Sequence, residues 1–151
     1  MRDLRDDSSI AFSRAIRQTE RARHAEQRDA MDIRIETKRD HIRVWVTGEF
    51  DLAQAREGLL RIAQLCRDAR LDRVLIDGRG VSNRVPVGER QAIAKVISDE
   101  ASVRLRMAVV VSRENMFTKA LEETSQSLGV EVHTTDSMAE GLMYLDLLGE
   151  R

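Results

Sequence analysis

One cysteine, one proline and very few aromatic rings set limits on what this chain does. A lone Cys66 excludes any intramolecular disulfide and points to a reducing compartment. Aromatics make up 3% of residues, which leaves few rings on which nucleic-acid bases would stack. Acidic and basic residues nearly cancel, at a net charge of -1, so no global field draws the chain to nucleic acid or to a membrane surface. No apolar run approaches the roughly 18 residues of a membrane span. The opening residues, MRDLRDDSSI, are too charged for a secretory signal. The expectation from these absences is a cytoplasmic protein, neither transmembrane nor nucleic-acid-binding.

What is present argues for a folded domain. Apolar residues make up 42% of the chain, enough to bury a core, and its 151 residues suit a single domain. Residues 1-30 differ from the rest. Their helical stripe is thin, with Ile10, Phe12, Ala15 and Ile16 followed mostly by alanines, and such a stripe buries little. They are expected to form a charged tail or a marginal helix, with docking on a partner or a second copy as the functional alternative. Met31 stands just before the first strand pattern and is a candidate true start. Residues 31-151 are expected to form one α/β domain.

From Met31 the periodicities alternate. DIRIET puts Ile33 and Ile35 on one face, and IRVWVTG puts Ile42, Val44 and Val46 on one face with Trp45 on the other. The short KRDH link makes these an antiparallel hairpin. Leu52, Ala55, Leu59, Ile62, Cys66 and Ala69 then recur at helical steps. Cys66 on that stripe reads as a core residue. RVLID is a nearly continuous apolar run, as in a strand buried on both faces, and it ends on Asp77. A second helix is predicted from about Pro86 to Glu100, with Pro86 in its first turn. LRMAVVV is a further buried strand. Ser112 is then placed to cap a third helix through Met116, Phe117, Ala120, Leu121, Thr124 and Leu128, stopped by Gly129. VEVHT is the last strand. Ser137 to Glu140 reads as a capping box opening a fourth helix with Leu142, Leu145 and Leu148. The predicted order is β-β-α-β-α-β-α-β-α, a mixed, mostly parallel sheet with an N-terminal hairpin.

Several chemistries fail on residue pattern. His24, His41 and His133 are scattered without ligand-spaced neighbours, so no metal is expected, and each reads as a surface or turn residue. GRGVSN places Asn83 where a dinucleotide fingerprint needs its third glycine, and it follows a middle strand. Asp77 and Ser112, each ending a strand, resemble the phosphoacceptor and switch hydroxyl of receiver domains. The second acidic cluster and the late lysine of receivers are missing. No cofactor is expected.

The stretch VTGEFDLAQAREGLLRIAQL, with Gly48, Phe50, Asp51 and Ala55, resembles the strand-to-helix signature of STAS domains, the sulfate-transporter and anti-sigma-factor-antagonist family. RVLIDGRGV resembles that family's next strand, ending in Asp77, with Gly80 and Val81 following in the loop. The region from Arg106 to Leu145 is similar to the bacterial SpoIIAA-like branch. The resemblance spans about Asp32 to Leu148. It implies a STAS-like fold and a non-enzymatic regulatory, protein-interaction role. The family's phosphorylatable serine does not carry over. Pro86 and Val87 occupy its place at the start of the second helix, and neither has a hydroxyl; the nearest serine, Ser82, lies earlier in the loop.

The candidate site is therefore the loop and helix entrance with Asp77, Arg79, Ser82, Asn83, Arg84, Pro86 and Arg90. Helix amides and these arginines favour an anion, either an acidic segment of a protein partner or a phosphate-bearing small molecule. A plain connector, with solvated arginines and Asp77 tying down its own loop, is the competing reading. Two other readings stay open. One is an enzyme built on Asp77, Ser82 and Asn83. The other is a lipid or apolar ligand in a void lined by Ile93, Ile97, Met143 and Leu147. The oligomeric state is not legible.

Overall fold

A computed structural model describes residues 30–99, 104–116 and 131–147 of the chain. All but Ala30 belong to one unit, Met31–Arg151. Strands β1 (Asp32–Thr37) and β2 (Ile42–Gly48) pair antiparallel, in register from Asp32 opposite Thr47 to Thr37 opposite Ile42. Side chains alternate across a strand. Ile33, Ile35, Val44 and Val46 thus share one face, and Arg34, Arg43 and Trp45 the other.

Helix α1 (Leu52–Ala69) begins at Asp51, whose Oδ1 accepts from the Gln54 N–H at 3.1 Å. It ends at Arg70, held at φ 56°, a left-handed position usually given to glycine. Strand β3 (Arg73–Val81) runs parallel to β2, and helix α2 (Val87–Asp99) follows. Strand β4 (Arg106–Val111) is parallel to β3 and leads into a 3₁₀ turn, Arg113–Asn115. Strand β5 (Glu131–Thr135) is parallel to β4, and helix α3 (Met138–Tyr144) follows it. The sheet order is β1-β2-β3-β4-β5. This is the mixed, mostly parallel architecture that the periodicities predict. The helix expected from Phe117 to Leu128, with its stop at Gly129, lies outside the described residues; Ser112 precedes the 3₁₀ turn without a side-chain cap bond.

Each face of the sheet has its own apolar cluster. On one, Ile42, Val44, Val74 and Met107 pack against Ile62 and Cys66 of α1 and Ile97 of α2. On the other, Leu75, Ala108 and Val110 pack against Leu145 and Leu147 just after α3. Each Val, Leu, Ile or Met among them, fully buried, contributes roughly 1.5–3 kcal/mol. Burial on both faces explains why β3 and β4 read as continuous apolar runs while β1 alternates. Cys66 is fully buried, and burial pushes its thiol up to about 11. It packs as an apolar residue and is a poor nucleophile.

Three local expectations are corrected. Strand β3 does not end at Asp77 but continues to Val81. Its register with β2 shifts between Trp45 opposite Asp77 and Thr47 opposite Gly80, and pairing then resumes. Gly80, read as a loop glycine, is required by this close approach: a Cβ there would lie 2.7 Å from Thr47 Cγ2. His41 is neither a surface nor a solvated turn residue. It is 0% exposed, with Nδ1 2.9 Å from Asp40 Oδ1. The capping box is half formed. Ser137 Oγ accepts from the Glu140 N–H, but the Glu140 carboxylate accepts from the Thr135 hydroxyl rather than reaching back to Ser137.

Candidate functional site

At the carboxyl end of β3 the chain passes through residues 82–86 into α2, and this short loop is pinned at several points. The Ser82 N–H donates to the Gly48 carbonyl at 2.9 Å. Asn83 Oδ1 accepts from the Phe50 N–H at 2.8 Å, tying the loop to the entrance of α1. The Val85 N–H donates to Asn115 Oδ1 at 2.9 Å. Asn115 is 4% exposed. Its Oδ1 also accepts from Arg90 Nη2 at 3.0 Å, and its Nδ2 donates to the Asn83 carbonyl at 3.2 Å. The Pro86 carbonyl accepts from the Glu89 and Arg90 N–H groups at 3.1 Å, so proline stands immediately before α2 rather than inside its first turn.

The residues singled out by sequence divide into three groups. Ser82, Arg84 and Pro86 are exposed on the loop. Asn83 and Arg90 brace it from below, and Arg90 is buried rather than surface-exposed. Burial works against the charge of Arg90, and the cation of Arg84 adds to the effect. The guanidinium nevertheless stays protonated. Asp77 and Arg79 form the third group, on the sheet face away from α1 and α2, because Ile76 and Gly78 take the other face. Arg79 Nε and Nη2 both donate to the Asp77 carboxylate at 2.9 Å, and the Arg79 N–H donates at 3.2 Å. The side-chain hydrogen bonds of Arg79 hold the Asp77 carboxyl below its ordinary value, against the opposing effect of burial. Arg43 adds a further lowering and itself lies 5.1 Å from the Trp45 ring.

Asp77, Ser82 and Asn83 are therefore not drawn into one cluster. Among the described residues no hydrogen bond joins any two of them. Nor do three His, Cys, Asp or Glu side chains gather as a metal site among those residues. No helix of the described residues is long and apolar enough to cross a membrane.

The helix entrance itself is apolar and open. Val87 is 43% exposed, and a Cβ added at Gly88 would meet nothing within 4 Å. Beneath it lies a cavity of about 140 Å³ between the sheet and helices α1 and α2. Ile93 and Ile97 line it as predicted, together with Ile33, Ile62 and Val109. Met143 and Leu147 do not. Helix α3 covers the opposite face of the sheet, where Leu147 packs against the Leu75 cluster and Met143 is 59% exposed. Sequence reasoning missed Asn115, which organises the loop. Nothing in SREN marks it, since its partners come from distant positions.

No family model and no curated protein matches the chain. A solved structure does: the crystal structure of an anti-sigma factor antagonist from Mycobacterium paratuberculosis. The two superpose with a TM-score of 0.55 at 17% identity, over 78% of this chain and 96% of that one. At that identity the match shows the fold alone: a mixed α/β sheet with an antiparallel first pair and parallel strands after it, consistent with a STAS-like architecture.

Proposed function

We propose that the chain is a non-enzymatic regulatory domain that binds a protein partner at the passage from β3 into α2. The observation that carries this reading is an apolar, uncrowded surface on a braced backbone. Val87 and Gly88 face open space, while Asn83 and Asn115 hold the loop that presents them. A preorganised surface loses little conformational entropy when a partner docks. The fold shared with an anti-sigma factor antagonist supports the same role. Ser82, Arg84, Pro86 and Val87 would make the contact, with Arg84 favouring an acidic rim on the partner. Asn83 and Arg90 act from beneath, and the Asp77–Arg79 pair stiffens the neighbouring strand. Pro86 and Val87 have no hydroxyl, so docking here is not switched by phosphorylation at the family's usual position.

The test is affinity capture from the native cell with the wild-type chain and with Val87→Glu. The reading predicts a partner held by the wild type and reduced at least tenfold by the variant, about 1.4 kcal/mol. Equal recovery by both proteins places the interface elsewhere.

A further inference from the structure

The cavity beneath the helix entrance calls for an occupant. Its volume, about 140 Å³, matches engineered core cavities of about 150 Å³ that stay dry and bind benzene or xenon. Unlike those sealed cavities, this one is partly open to solvent, so a ligand can enter without unfolding the chain. Among the described residues its apolar walls come from β1, β2, β3, β4, α1 and α2, with Ile33, Val44, Ile76, Val109, Ile62 and Ile93 among them. Water would find few partners along such walls.

One end is different. Arg90 and Asn115 line the cavity where it approaches the loop. Arg90 is 7% exposed, and its Nη2 stays on Asn115 Oδ1. It is the charge of the guanidinium that matters here. The guanidinium brings a positive charge beside the apolar walls at that end of the cavity. A negative group there would interact at short range in a poorly screened setting.

From these two features we propose that the cavity binds a small amphipathic acid, with its apolar body between the sheet and helices α1 and α2 and its carboxylate toward Arg90. This site is separate from the protein-docking surface, and neither reading requires the other. A bound molecule would touch Val85 and Asn115, which hold the loop, and so would sit directly under that surface.

The test is a titration of the full chain, methyl-labelled at Ile, Leu, Val and Met, with octanoate and separately with 1-octanol. Octanoate should give saturable shifts at the methyls of Ile33, Ile62, Ile93 and Ile97, with 1-octanol binding at least tenfold more weakly. Ala55→Leu extends a side chain into the space from α1 and should abolish the shifts. Ala55 is a buried lining residue. If that variant does not fold, the wild-type titrations decide alone. The proposal is overturned if octanoate leaves those methyls unmoved at millimolar concentration, or if 1-octanol binds as tightly as octanoate. A folded Ala55→Leu that still binds at the same methyls also overturns it.

Discussion

Asn115 reaches back to Asn83, Val85 and Arg90 with both ends of its amide; the bond to Arg90 is buried and the other two are partly buried. Truncation to alanine leaves a backbone donor, a carbonyl and a guanidinium short of a partner. Asn115→Ala should therefore lower unfolding stability by about 3 kcal/mol, measured by urea denaturation, since each buried unsatisfied group costs roughly 1–3 kcal/mol. A loss near zero would mean that the loop is not held this way. Asp77 gives a second expectation at this scale. The side-chain hydrogen bonds of Arg79 hold its folded-state pKa below the ordinary carboxyl value. A depressed carboxyl stabilises the fold above its unfolded pKa, about 3.9, and that stability is lost as pH falls through the folded value. Urea midpoints between pH 7 and pH 2 should fall less steeply for Asp77→Asn than for the wild type at the acid end. Identical profiles would mean the pair contributes nothing. The sequence marked Asp77 and the arginines, but it did not show which arginine serves the carboxylate. Arg79 is two residues away on the same strand face, whereas Arg84 and Arg90 lie beyond a bulge and a loop that composition does not reveal.

The strands and helices were legible because burial imposes period. Ile33 and Ile35 alternate because only one face of β1 is covered, and RVLI is continuous because β3 is covered on both. The end of β3 was misread because glycine has two uses. Gly78 and Gly80 looked like loop residues, yet Gly80 lies within a paired strand where Thr47 leaves no room for a Cβ. This gives a test at the level of the strand pair. Gly80→Ala should destabilise the fold by about 1–3 kcal/mol, the usual cost of forcing carbon into a packed site. Removing the opposing Cγ2 as well, in Gly80→Ala with Thr47→Ala, should recover part of that loss. No recovery would show that the strain is in the backbone rather than between the strands. The capping box failed for a related reason. Ser137 caps α3 as its spacing implies, but the Thr135 hydroxyl at the end of β5 holds the Glu140 carboxylate. A local motif cannot announce a competing partner supplied by the preceding strand.

Across the domain, two apolar clusters cover opposite faces of one mixed sheet, and the β3–α2 passage lies at the carboxyl end of its central strand, where ligands of open α/β folds gather. The predicted void needed both faces to meet at one place. The observed cavity belongs to the α1–α2 face alone, because α3 packs on the other side. On the proposed reading, the docking surface and the cavity beneath it both lie on the α1–α2 side of the sheet. The docking surface is directly testable by hydrogen–deuterium exchange on the full chain, alone and with its captured partner. Slowed exchange confined to residues 82–90 and the adjoining entrance of α1 is the predicted result. Protection centred instead on the Arg34, Arg43 and Trp45 face, with residues 82–90 unchanged, would contradict it.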